Sequence, residues 1–205
     1  MKERPIHLLG HEVRAILEGR KTVTRRPVKA RLANRFDEPR GQADIDAGYP
    51  FVECDDGYVS AVKLCPYGQP GDRLWVRETW ARIGIAQAPD QEWVVYRESD
   101  NRTDYGGPWK PGIHMFRRDS RILLEITGVR VERLQNISED QSKAEGVRLY
   151  TDHAELGDWY HVDGIETYSS DPRKSFELLW SSINGAESWN ANPWVWVVEF
   201  RRVTP

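Results

Sequence analysis

The sequence predicts an α+β fold: one domain with a small mixed or barrel-like sheet flanked by helices. Three observations carry the prediction. The elements run helix, several strands, two helices and a closing strand. That order has neither regular βαβ alternation nor an internal repeat, which argues against a dinucleotide-binding sheet or a solenoid. Apolar and polar residues alternate in segments such as Arg73-Leu74-Trp75-Val76-Arg77-Glu78, the period of a half-buried strand. Finally, 205 residues with 39% hydrophobic content and nine Trp suffice for one sizeable core, since a chain of this size buries roughly 70% of its unfolded surface.

Leu9, Val13, Ile16 and Leu17 recur at helical spacing between His7 and Gly19, and Gly19 is a natural stop. Arg20 to Pro27 follows, with Thr22, Val23 and Thr24 favouring extended backbone and Pro27 disfavouring a helix at Arg26. Arg35 to Gly48 mixes charge, Gly and Pro without periodicity and reads as an irregular insertion. Phe51–Cys54 and Tyr58–Val62 read as strands joined through Asp55-Asp56-Gly57. Cys65 to Asp72 is a turn-rich entry to a strand carrying Leu74, Val76 and Glu78 on one face and Trp75, Arg77 and Thr79 on the other. Trp93–Arg97 is a further strand, and Tyr105–Gly112 a loop.

Arg121–Leu134 is long enough for one bent strand or two broken at Gly128. Ser138 with Gln141 forms a capping box, and Gly146 ends the helix just after Glu145. Thr151–Ser170 is a polar insertion. Asp171-Pro172 opens a helix with Phe176, Leu179, Trp180 and Ile183 on one face, closing near Asn184-Gly185. Pro193–Phe200 is the final strand, with Trp189, Trp194 and Trp196 expected in core and seam.

Composition excludes several functions. With 29 Lys+Arg against 32 Asp+Glu, the net charge of -3 speaks against a strongly cationic, non-specific nucleic-acid binder. No apolar run approaches the ~20 residues of a membrane span, and the N-terminus has no signal-peptide core. The expectation is therefore a cytoplasmic protein without membrane partners. Two Cys cannot build a disulfide framework, and the five His show no zinc spacing with them, so no metal or cofactor is expected. Asp152-His153 and His161 offer only a weak metal grouping. Glu78 and Glu125 read as sheet-wall residues, and His114 as a loop residue.

Chemistry concentrates in Arg20-Lys21-Thr22-Val23-Thr24-Arg25-Arg26, four cations and two hydroxyls after a helix end. In extended backbone Arg20, Thr22 and Thr24 point one way and Lys21, Val23 and Arg25 the other. Lys21 and Thr24 converge only if the strand twists or begins after Lys21. Cations here suit an anionic ligand such as a phosphate.

Ile16 to Arg25 resembles the signature of the ASCH domain family. Pro70-Gly71-Asp72-Arg73-Leu74-Trp75-Val76, Ile137–Val147 and Trp196–Phe200 resemble further family segments. The pattern is similar to larger ASCH proteins carried by phages and prophages. The resemblance implies a PUA-like β-barrel across 1–205, with insertions at about 28–64, 81–118 and 148–171. It also implies a catalytic set of Lys21, Thr24 and Glu145, as in members that hydrolyse N(4)-acetylcytidine. Either Thr24 is a nucleophile with Lys21 as base, or Glu145 activates water while Lys21 and Thr24 stabilise the oxyanion. Arg20, Arg25, Arg26 and Trp75 would then contact the ligand, Trp75 by stacking. The partner class is a modified nucleoside or nucleotide, or RNA or DNA. The alternative is a non-catalytic nucleic-acid-binding module or a ribonuclease using the same cations.

Overall fold

The computed structural model describes residues 1–37, 42–46, 49–55, 57–85, 88–99, 108–150, 155 and 157–203. The elements are β1 (Glu3–His7), α1 (Gly10–Leu17), β2 (Val23–Pro27), α2 (Ala30–Ala33), α3 (Gln42–Asp46), β3 (Phe51–Cys54) and β4 (Gly57–Ser60). After them come β5 (Arg73–Arg77), β6 (Trp80–Ile85), β7 (Ala88–Tyr96), β8 (Leu123–Arg133) and α4 (Glu139–Ala144). The chain closes with β9 (Arg148–Tyr150), β10 (Trp159–His161), α5 (Pro172–Asn184) and β11 (Trp194–Val203).

The fold is α+β. Its main sheet has five strands in the order β1-β5-β8-β11-β2, and β3-β4, β6-β7 and β9-β10 form separate two-stranded ribbons. β1 runs parallel to β5, and the other neighbours are antiparallel. Among the described residues this sheet is open, with β1 and β2 at its edges.

β11 explains why the sheet holds. Its alternation sorts two cores: Trp194, Trp196, Val198 and Phe200 enter one with Leu74, Val76, Leu124 and Ile126. Val195 and Val197 enter the other, with Val23, Leu134, Phe176, Leu179 and Trp180 beneath α5. A central strand buried on both faces reads as a continuous apolar run, as this one does. Trp189 packs at the margin of the second core.

β8 is one long strand. Its pairing with β11 shifts register between Glu199 and Phe200, opposite Gly128, where a Cβ would stand 2.8 Å from a Glu199 carboxylate oxygen. Of the two expectations at Gly128, the bent strand is the one observed. α1 is shorter than the His7–Gly19 span, because His7 belongs to β1. Sequence reading did not find β1: Pro5 and two charged residues surround its one buried residue, Ile6. An edge strand tolerates that pattern, since proline needs no ladder partner there.

Within the segment 28–64 lies the predicted β3-β4 ribbon, and Val28, Val52 and Ala61 lie in the first core. The predicted turn residue Asp56 lies outside the described residues. Within the polar stretch after Thr151, β10 pairs with β9. Glu78 is buried and held by Arg121 at 2.9 and 2.7 Å.

α5 begins as its sequence predicts, with Pro172 in the first turn and the Asp171 carboxylate accepting from the Arg173 N–H at 2.8 Å. Replacing Asp171 by Ala is expected to cost about 1 kcal/mol, read as a lower urea midpoint at unchanged slope. Among the described residues no helix is long and apolar enough to cross a membrane.

Candidate functional site

The site is assembled where the end of α1 meets the end of α4. Gly19 takes φ +75°, and the chain turns so that the N–H groups of Arg20 and Lys21 both donate to the Ala15 carbonyl, at 2.8 and 3.0 Å. The next three residues then cap α4. Arg20 Nη1 donates to the Gly146 carbonyl at 2.8 Å, Lys21 Nζ to the Glu145 carbonyl at 3.0 Å and the Thr22 N–H to the Ala144 carbonyl at 2.9 Å. A helix end leaves these carbonyls without internal partners, and cations there also complement the dipole. Part of the cationic character of the Arg20–Arg26 run therefore has a structural origin.

Around this junction lies a buried ion network. Lys21 Nζ stands 2.6 Å from Glu145 Oε2 and 3.6 Å from Glu12 Oε1. The second oxygen of Glu145 accepts from Arg25 Nη1 at 3.1 Å. Arg25 Nη2 also reaches Glu132 at 2.7 Å and the Gln141 side-chain oxygen at 2.6 Å. Gln141 is the capping-box residue of α4, exchanging bonds with Ser138 at 3.2 Å each way, so the helix start and the site share one side chain. Arg26 Nη2 donates to Glu12 and to the His7 carbonyl, both at 3.2 Å. Lys21, Arg25, Glu12 and Glu145 are all buried.

Burial by itself would raise the Glu12 carboxyl. The charges of Lys21 and Arg26 and the Leu9 N–H at 2.8 Å outweigh it and hold the group below the ordinary carboxylate value. On the outer side, partial burial and the positive charges of Arg26 and Arg77 lower His7, against the opposing pull of Glu12.

β2 starts at Val23, so Lys21 precedes it and escapes the strand's alternation. Lys21 and Thr24 line one cavity, with Glu12, Arg25, Arg26 and Glu145. Because β2 is an edge strand, side chains of both its faces reach this space. α5 covers it through Phe176, Leu179, Trp180, Ile183 and Asn184, leaving about 30 Å³. That is room for a water molecule, far below what a nucleoside occupies.

The structure thus brings Lys21, Thr24 and Glu145 together. Of the other expected contacts, Arg25 and Arg26 line the same cavity, whereas Arg20 and Trp75 do not. Arg25 is enclosed and committed to Glu145, Glu132 and Gln141, which makes it a positioning group. Arg20 is paired with Glu18 at 2.6 Å and Asp163 at 3.3 Å. Every cation of the run has a carboxylate partner, so no unbalanced anion site results. Trp75 does not line the cavity: with Leu74 and Val76 directed into the first core, alternation turns it to the opposite face, where the Arg77 guanidinium lies 4.7 Å from its ring centroid.

Glu12, Glu132 and Gln141 were not singled out as site residues by sequence reading. For Glu12 a signal exists: a charge beside Val13 within the apolar stripe of α1. Asp152 and His153 lie outside the described residues. Among the described residues no group of three or more His, Cys, Asp or Glu is arranged to hold a metal ion. No family model matches the chain, and no curated protein or solved structure matches it.

Proposed function

We propose that this chain is an amidohydrolase that removes the acyl group from an N(4)-acylated cytosine nucleoside or nucleotide, on a PUA-like sheet of the ASCH type. One observation supports it above the others: Glu145 is held by two buried cations, Lys21 and Arg25, at a cavity shared with Thr24. A carboxylate fixed in this way is oriented for proton transfer without reorganisation. The resemblance of Ile16–Arg25 and Ile137–Val147 to the ASCH segments supports the same residues. For the barrel, the Arg26 side chain of edge strand β2 bonds the backbone of edge strand β1, with α1 connecting the two.

The contacts of Lys21 are those of a donor, which favours the water-activating scheme. Glu145 accepts a proton from water as the oxygen attacks the acyl carbon. Lys21 and the Thr24 hydroxyl donate to the developing oxyanion. The C–N bond then breaks, Glu145 returns its proton to the leaving N4 amine, and acetate and cytidine separate. A neutral acyl nucleoside suits a site whose cations are already balanced by carboxylates. Entry requires the covering face of α5 to move away, because the space left beneath it, about 30 Å³, admits only water.

The test is incubation with N(4)-acetylcytidine and chromatography of the products. Equal release of cytidine and acetate is expected. No release at enzyme concentrations matching the substrate would overturn the reading.

A further inference from the structure

A second concave surface carries two cations, Arg77 and Lys110, that have no carboxylate partner among the described residues. It is an open groove of about 430 Å³ beside β5 and β6, bordered by Arg77, Trp80, Lys110, Ile113 and Phe116. That volume falls within the range of about 300–1,000 Å³ usual for small-molecule sites.

Its outer wall, residues 108–120, is firmly anchored. Lys110 exchanges backbone bonds with Trp80 at 2.8 and 3.1 Å. Gly112 lies against Arg77, where a Cβ would stand 3.0 Å from the carbonyl oxygen. Met115 is buried, and buried Asp119 accepts from Arg82 Nη2 at 2.8 Å on each oxygen. The Tyr96 hydroxyl donates to the Asp119 carbonyl at 2.7 Å, and Ser120 Oγ to the Val76 carbonyl at 2.8 Å.

A segment held this well nevertheless keeps Ile113 60% and Phe116 61% exposed. Together with Trp80, these two side chains give the groove an apolar, partly aromatic wall on a fixed support. The cations agree. Arg118 lies 5.5 Å over the Phe116 ring and Lys110 5.4 Å over the Trp80 ring, while Arg77 covers Trp75. Among the described residues none of these three has a carboxylate partner, and no carboxylate lines the groove. Hydrogen bonds link the groove's edge to the first site through β1: Arg26 donates to the His7 carbonyl, and the next residue, Leu8, donates its N–H to the Arg77 carbonyl at 3.2 Å.

We propose that this groove binds a nucleoside phosphate, free or within a single strand of nucleic acid, with a base stacked on Phe116, phosphate held by Lys110 and Arg77, and Arg118, beside Phe116, meeting the backbone at the rim. An acidic peptide would satisfy the charges but supplies no flat ring for an aromatic face bordered by a guanidinium. A nucleotide supplies both.

Fluorescence anisotropy with end-labelled hexauridylate and hexathymidylate tests this, with cytidine monophosphate, duplex DNA and oligoglutamate as competitors. Binding of the hexamers is expected. Phe116→Ala should weaken it about tenfold, the scale of one stacked base. Lys110→Ala and Arg118→Ala should each reduce the salt slope by about one. These side chains are exposed, and circular dichroism checks that the variants remain folded. Cytidine monophosphate competing as well as a hexamer assigns a free nucleotide, and weaker competition assigns a strand. No binding of any phosphate probe at low salt, unchanged affinity in the Phe116→Ala/Lys110→Ala variant, or oligoglutamate or duplex DNA competing as well as a single strand would each overturn the proposal. The measurement needs no turnover, so its outcome is separate from that of the hydrolase reading.

Discussion

Replacing Glu145 by Gln is expected to reduce cytidine release from N(4)-acetylcytidine by about 10²–10⁴-fold, the usual contribution of a general base. The amide preserves shape but cannot take a proton from water. It also accepts from only one of its two donors, Lys21 Nζ at 2.6 Å and Arg25 Nη1 at 3.1 Å. Thermal unfolding must therefore accompany the kinetics, and a folded variant without turnover is the informative result. Glu132→Gln is the control for positioning. It weakens one support of Arg25 while leaving Glu145 intact, so kcat should fall less than in Glu145→Gln. Thr24→Val separates the two chemical schemes. A hydroxyl acting as oxyanion donor costs about 10²–10³-fold, whereas loss of a nucleophile leaves no acyl-enzyme to form. Trapping a Thr24-linked acetyl group by mass spectrometry in the wild-type protein would overturn the water-attack scheme.

Replacing Lys21 by Met is expected to destabilise the fold by about 3–5 kcal/mol at neutral pH. Removing one member of a buried ion network leaves the others uncompensated. For a chain of this size that lowers Tm by roughly 10 °C. Two carboxylates lose a shared cation, and Met restores most of the volume, so the loss is chiefly electrostatic.

The pH dependence has a definite sign. Glu12 titrates below the ordinary glutamate value of 4.5 in the folded protein, so it contributes stability above that value. That contribution is lost as pH falls through the lowered folded value. In the variant Glu12 loses its strongest cationic neighbour, and its carboxyl moves back up. The gap between wild type and variant should thus be wide at pH 7 and narrow by about pH 4, as protonation relieves the buried charge. Urea unfolding at the two pH values reads it directly. An equal gap at both would mean that Lys21 acts by packing alone.

Much of the scaffold was legible because its signals are local. The alternation of β5, the apolar run of β11, the capping box at Ser138 and Gln141, and the Asp171-Pro172 start depend on nearest neighbours along the chain, and each recurs in the structure. β1 was not legible, because an edge strand buries one residue in five positions and its pairing comes entirely from β5. The convergence of Lys21 and Thr24 was legible only as a condition, that the strand begin after Lys21, and β2 begins at Val23.

What the sequence alone determined was the α+β class, the density of cations after α1 and the placement of Glu145 at a helix end. The tertiary structure decided what those cations do. Charge partnership is a matter of through-space distance, and Glu12, Glu132 and Asp163 come from α1, β8 and the segment after β10. They turn an apparent anion site into a neutralised, buried network around Glu145. Among the described residues, the same packing brings no carboxylate to Arg77, Lys110 or Arg118 on another face. No local pattern separates these two sets of cations, because the difference lies in which acidic side chains the fold brings beside them.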